Sequence, residues 1–108
     1  MANPWAGEVE LVIDGQVHRM KLTLGALAEL EADLHSGTLI ELVERFEGKD
    51  FSTRDVLALI VAGLRGGGWR GSAADLMSAE IEGGVMQAAR LAAQLLARAF
   101  ALPTGDRV

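Results

Sequence analysis

The chain has 108 residues and a mass of 11.4 kDa, half of it apolar with mean hydropathy +0.24, so it holds one domain with one core, and disorder throughout is excluded. Cysteine is absent, which excludes disulfides, thiolate catalysis and cysteine-based metal sites. The net charge of −5 is uneven: residues 1–50 carry ten acids and four bases, residues 51–108 five acids and six bases, and that balance argues against a nucleic-acid partner.

Residues 8–22 read as a β-hairpin. Asp14-Gly15 is the signal of a two-residue type I′ turn, which needs positive φ twice. With those two residues as the loop, Ile13 faces Gln16, Val12 faces Val17, Leu11 faces His18, Glu10 faces Arg19, Val9 faces Met20 and Glu8 faces Lys21. The register puts both opposite-charge pairs on one face, and a slip of one residue loses them. Val9, Leu11, Ile13 and Met20 fall on the other face, which has to rest on helices because an isolated hairpin is marginal.

The rest, about 23–102, reads as helical. Thr23 is an N-cap, with Leu24, Leu27, Leu30 and Leu34 as an inward stripe broken at Ser36-Gly37. A second helix spans 38–47, with Leu39, Leu42, Val43 and Phe46 inward and Gly48 as its stop. Ser52 and Asp55 form a capping box for a third helix through 64, with Val56, Leu57, Ile60, Val61 and Leu64 inward. Gly66-Gly67-Gly68 ends it. Ser72 and Asp75 repeat the cap before a short helix over 73–81, and Gly83-Gly84 breaks the chain again. A last helix covers 85–100, and Pro103 marks its end. The expected fold is α+β, mostly α: an N-terminal two-stranded hairpin packed on four to five helices in a single domain, with loose tails at 1–6 and 103–108. Neither a signal peptide nor a membrane span is expected.

The last helix is the most informative element. Twelve of the sixteen residues in 85–100 are apolar, and Gln87, Arg90, Gln94 and Arg98 form one narrow polar stripe. Either this is a central core helix, or it keeps a second apolar face for another chain. On the second reading the contact surface is Val85, Met86, Leu91 and Leu95, with Trp69 and Arg70 at its edge, since Trp and Arg are enriched at binding hot spots.

Candidate chemistry is sparse. Residues 66–71 match G-x-G-x-x-G, but a helix and not a strand precedes them, and Ser72 stands where a P-loop lysine belongs. Glu29, Glu31 and Asp33 crowd one helix with no basic partner from 22 to 40 and read as a solvated acidic face. His18 and His35 lack metal-ligand spacing, and no serine sits in a nucleophile elbow. No catalytic, cofactor or metal residues are assigned, and an enzyme is not expected.

The runs NPWAGEVELVIDG at 3–15, KLTLGALAELEADL at 21–34, LVERFEG at 42–48 and FSTRDVLALIVAGLRGGGW at 51–69, with the Ala/Leu-rich end, resemble the small tail proteins of gene transfer agents and related tailed phages. The resemblance covers about 3–103. That family is described as a tail assembly chaperone and also as a tail tube component. The resemblance implies a non-enzymatic protein of the bacterial cytoplasm, associated with the assembling tail. It would bind the tape-measure protein during assembly, with the tail tube protein or a second copy of itself as further partners. The rival readings are a structural or adaptor subunit kept in the tail and a homo-oligomerising helical module.

Overall fold

The computed structural model describes residues 7–34 and 37–100; His35, Ser36 and both expected tails lie outside the described residues. Strands β1 (Val9–Ile13) and β2 (Gln16–Met20) pair antiparallel in the expected register, Val9 opposite Met20 through Ile13 opposite Gln16. Asp14 and Gly15 take φ of 50° and 80°, the two positive values that a type I′ turn requires. Val9, Leu11, Ile13 and Met20 are buried, and His18 lies half-buried across from Leu11. The ladder is one pair shorter than expected. Just past its end the Lys21 N–H donates to the carbonyl of Gly63 at 2.9 Å, tying the hairpin to α3.

Among the described residues five helices follow: α1 (Leu24–Asp33), α2 (Leu39–Glu47), α3 (Thr53–Gly66), α4 (Ala73–Met77) and α5 (Gly84–Ala99). Their starts follow from local chemistry. The Thr23 hydroxyl accepts from the Ala26 N–H at 3.1 Å. Thr38 with Glu41, Ser52 with Asp55 and Ser72 with Asp75 each make a reciprocal capping box, satisfying donors that a helix start leaves open.

The centre of the molecule is α3. It packs against α1, α4, α5 and β2, and Leu59, Ile60 and Leu64 are almost wholly buried. Because it has neighbours on several sides, Leu59, Ala62 and Gly63 are buried beside the expected Val56, Ile60 and Leu64, while Leu57 and Val61 lie at the margin. Two expectations are corrected. The inward stripe of α1 runs through Ala26 and Leu30 and leaves Leu24 exposed. The fourth helix stops at Met77, and Ile81 instead forms a β-bridge with Ile13. Of the two readings left open for α5, the structure makes it a flanking helix: Ala88, Leu91, Ala92, Leu95 and Leu96 face inward, while Met86, Arg90, Ala93 and Ala97 face out.

The contact of α3 with β2 is a glycine seam. A Cβ at Gly66 would collide with the carbonyl oxygen of Lys21, and one at Gly67 with that of Arg19. The triple glycine that formally resembled a phosphate loop therefore lets a helix end lie against a strand.

Candidate functional site

The segment between α4 and α5 makes the most distinctive surface. It is strapped to the tip of the hairpin. The Asp14 N–H donates to the Glu80 carbonyl at 2.8 Å, the Glu80 N–H donates to the Asp14 carboxylate at 2.9 Å, and the Glu82 N–H donates to the Val12 carbonyl at 3.0 Å. The strap then turns into α5 through Gly83 and Gly84, with φ of 85° and 70°, values only glycine takes readily.

Between this strap, the hairpin tip, the first half of α3 and the start of α5 lies an open groove of about 920 Å³. Its apolar lining includes Val12, Leu57, Ile60, Met77 and Val85. Met77 is 74% exposed and Val85 67%, so the groove offers large apolar side chains to solvent. Val17, paired with Val12 on the hairpin, extends the exposed apolar surface at the tip. Asp14, Glu80 and Glu82 also line the groove, and among the described residues no lysine or arginine does. Neither Glu80 nor Glu82 has an ion-pair partner among the described residues.

The residues expected to form one contact surface are divided by the fold. Leu95 is 1% exposed, with its methyl groups against Gly63, and Leu91 is 7% exposed. Both belong to the core, which corrects their assignment as contact residues: the inward side of α5 carries its leucines, because alanines alone would leave the space above α3 and β1 unfilled. Val85 lines the groove, and Met86, 74% exposed, projects from the outer side of α5. Trp69 is half-buried against the core, and Arg70 is exposed. These two line a separate, more polar hollow of about 560 Å³ with Thr23 and Gly25, where no α5 residue reaches. Met77, Leu57, Glu80 and Glu82 were missed. Their only signal in the sequence is local, a pair of acids around Ile81 close to an uncompensated methionine.

Asp55 is the one buried charged residue among those described. Arg45 grips it with two hydrogen bonds of 3.0 Å, from Nε and Nη2, joining α2 to α3. Burial pushes the Asp55 carboxyl up, but the bonds from Arg45 and from the Ser52 N–H outweigh it, and the group sits below the usual carboxylate range. The Arg45 pKa is raised, chiefly by its hydrogen bond to Asp55. This pair joins two helices, with Asp55 held by Arg45 and the Ser52 N–H. Among the described residues no cluster of three or more His, Cys, Asp or Glu side chains is placed to hold a metal ion, and no helix is long and apolar enough to cross a membrane.

The family model described as "Phage tail tube protein, GTA-gp10" matches residues 6–102. No curated protein matches, and no solved structure does. The family match spans the hairpin, all five helices, the strap and the groove, and on that extent the chain belongs to the GTA-gp10 family of phage tail proteins.

Proposed function

We propose that this protein is a non-enzymatic tail assembly chaperone. It acts in the bacterial cytoplasm, binds the tape-measure protein before the tube closes around it, and leaves as the tube forms. The observation that supports this over a permanent tube subunit is the state of the hairpin's edges. A tube of closed β-rings needs strands whose free edges pair between copies. Among the described residues the sheet has two strands, and part of each edge already meets the chain itself: Val12–Asp14 is paired with Glu80–Glu82, and the carbonyl of Arg19 lies under Gly67. The acidic balance of the chain fits a soluble escort, since net charge away from zero opposes association with like copies.

The second reading, a subunit kept in the tail, is favoured by the family's own description as a tail tube protein. Two measurements separate the readings. Co-expression with the tape-measure protein of the same gene cluster, followed by affinity capture and light scattering, gives a soluble complex with many copies of this chain per tape measure if it is a chaperone. Quantitative mass spectrometry of purified particles then finds it absent or far below whole-number stoichiometry. A fixed whole number of copies per particle would refute the chaperone reading.

A further inference from the structure

The groove at the hairpin tip has the shape and charge of a receptor for one kind of segment. It is apolar along its floor, with Val12, Leu57 and Ile60, and at its lips, with Met77 and Val85. Asp14, Glu80 and Glu82 give it only negative charge. An amphipathic helix presents anchors at i, i+3 or i+4, and i+7, which span about 10 Å. A volume of about 920 Å³ accommodates several such side chains at once.

The geometry points to the groove as the docking site for an amphipathic helix of a partner protein that carries lysine or arginine beside its apolar stripe. Charge decides between this occupant and the alternatives. An acidic helix would bring carboxylates against Glu80 and Glu82, which have no basic neighbour to offset them. A second copy entering with its own groove would oppose three acids with three acids. The exposed face of α5 carries Arg90, but it cannot fill the groove of its own copy because the same helix begins in the groove wall at Val85; a second copy's α5 docking there would appear as self-association in the test below. The inference rests on the chaperone reading only for the identity of the partner; the specificity of the groove stands apart from it.

The strap supplies the specificity. Glu80 and Glu82 are held at fixed positions by their backbone bonds to Asp14 and Val12, so their carboxylates flank the groove without being part of the core. An incoming cation meets acids whose backbone is already in place, so only their side chains are left to order on binding.

The test uses the full chain and synthetic 18-residue peptides, with binding read by fluorescence anisotropy of a labelled peptide. One peptide has leucine at i, i+3, i+4 and i+7 positions and lysine on its flanks. The second has glutamate in place of lysine, and the third is a scrambled lysine peptide. The lysine amphipathic peptide binds, and the other two bind at least about tenfold more weakly. Val85→Asp and Met77→Asp each weaken it by about tenfold or more, because both side chains are exposed and can change without unfolding the chain. The double variant Glu80→Lys/Glu82→Lys reverses the preference toward the glutamate peptide, and raising salt from 50 to 500 mM weakens only the charge-dependent part. Circular dichroism of each variant confirms that it is folded. Equal binding of the scrambled peptide, binding unaffected by Val85→Asp, or a groove variant that instead dissolves a self-association of the protein would each overturn the inference. The co-expression experiment fails separately. A tape-measure complex that ignores Val85→Asp refutes the groove and leaves the chaperone reading. Peptide binding without a tape-measure complex does the reverse.

Discussion

Gly66→Ala isolates the glycine seam between α3 and β2. Gly66 is the last residue of α3, and its φ lies outside the left-handed region. Propensity alone would make an alanine there stabilising by about 0.5–1 kcal/mol. The surroundings reverse the sign. The new methyl would collide with the Lys21 carbonyl and come within 3.3 Å of the Ala26 Cβ. That carbonyl is main chain, and the N–H of the same residue is tied to Gly63 at 2.9 Å, which anchors this end of the strand against the helix. Relief means parting helix and strand by about an ångström. Overpacking of this kind costs about 1–3 kcal/mol, and the weakened hydrogen bond costs about 1 kcal/mol more. After the propensity gain, the net loss is about 1–3 kcal/mol. Urea unfolding followed by tryptophan fluorescence measures it, Trp69 lying just beyond the seam. Gly25→Ala is the control. It also sits in a helix, its nearest neighbour would be the Thr23 hydroxyl at 3.9 Å, and it should gain about 0.5 kcal/mol. A Gly66→Ala protein as stable as the parent, beside a stabilised Gly25→Ala, would refute the argument from close approach.

Other substitutions follow from the same structure. Leu95→Ala should cost about 2–5 kcal/mol and Met86→Ala less than about 0.5 kcal/mol, because the first empties core volume and the second trims an exposed side chain; thermal unfolding of the pair checks this. Asp14→Ala should cost about 1–2 kcal/mol, losing both the bond to Glu80 and a residue that accepts φ of 50°, whereas Asp14→Asn should be close to neutral in the same assay. Asp55→Asn should destabilise by about 1–3 kcal/mol at pH 7, since it leaves Arg45 without its ion pair. The folded pKa of Asp55 is depressed, so its contribution is complete above the unfolded value near 4 and is lost as pH falls through the folded value. The gap between parent and variant should therefore close in acid, and urea midpoints between pH 7 and pH 3 test it.

What could be read from the sequence was local. Asp14-Gly15 specified both the turn and the register, because only one alignment puts Val9, Leu11, Ile13 and Met20 together. Thr38, Ser52 and Ser72 marked helix starts because the box partner lies three residues on in each case. The misjudged features depend on distant contacts. Periodicity carried the fourth helix to 81, but Ile81 finds its partner in Ile13, far away in the chain. The phase of α1 rotated away from Leu24 because α3 accepts Ala26 at its glycine end. The even apolarity of α5 concealed which side faced inward until α3 and β1 occupied it. The groove draws its walls from three separate stretches of chain, and no single window of residues announces it.

The bond from Asp14 to Glu80 joins residues 66 positions apart. Closing a loop of that size is entropically costly, so the contact forms after the helices have collapsed and not before. The prediction is that Asp14→Ala speeds unfolding and leaves the folding rate nearly unchanged, which stopped-flow folding and unfolding of the variant would check. With two left-handed glycines at its end, the strap is where local opening is expected first, and amide exchange at Glu80 and Glu82 faster than in α3 is the result that checks it. The lifetime of the groove, more than that of the fold, is then governed by one aspartate at the tip of a hairpin.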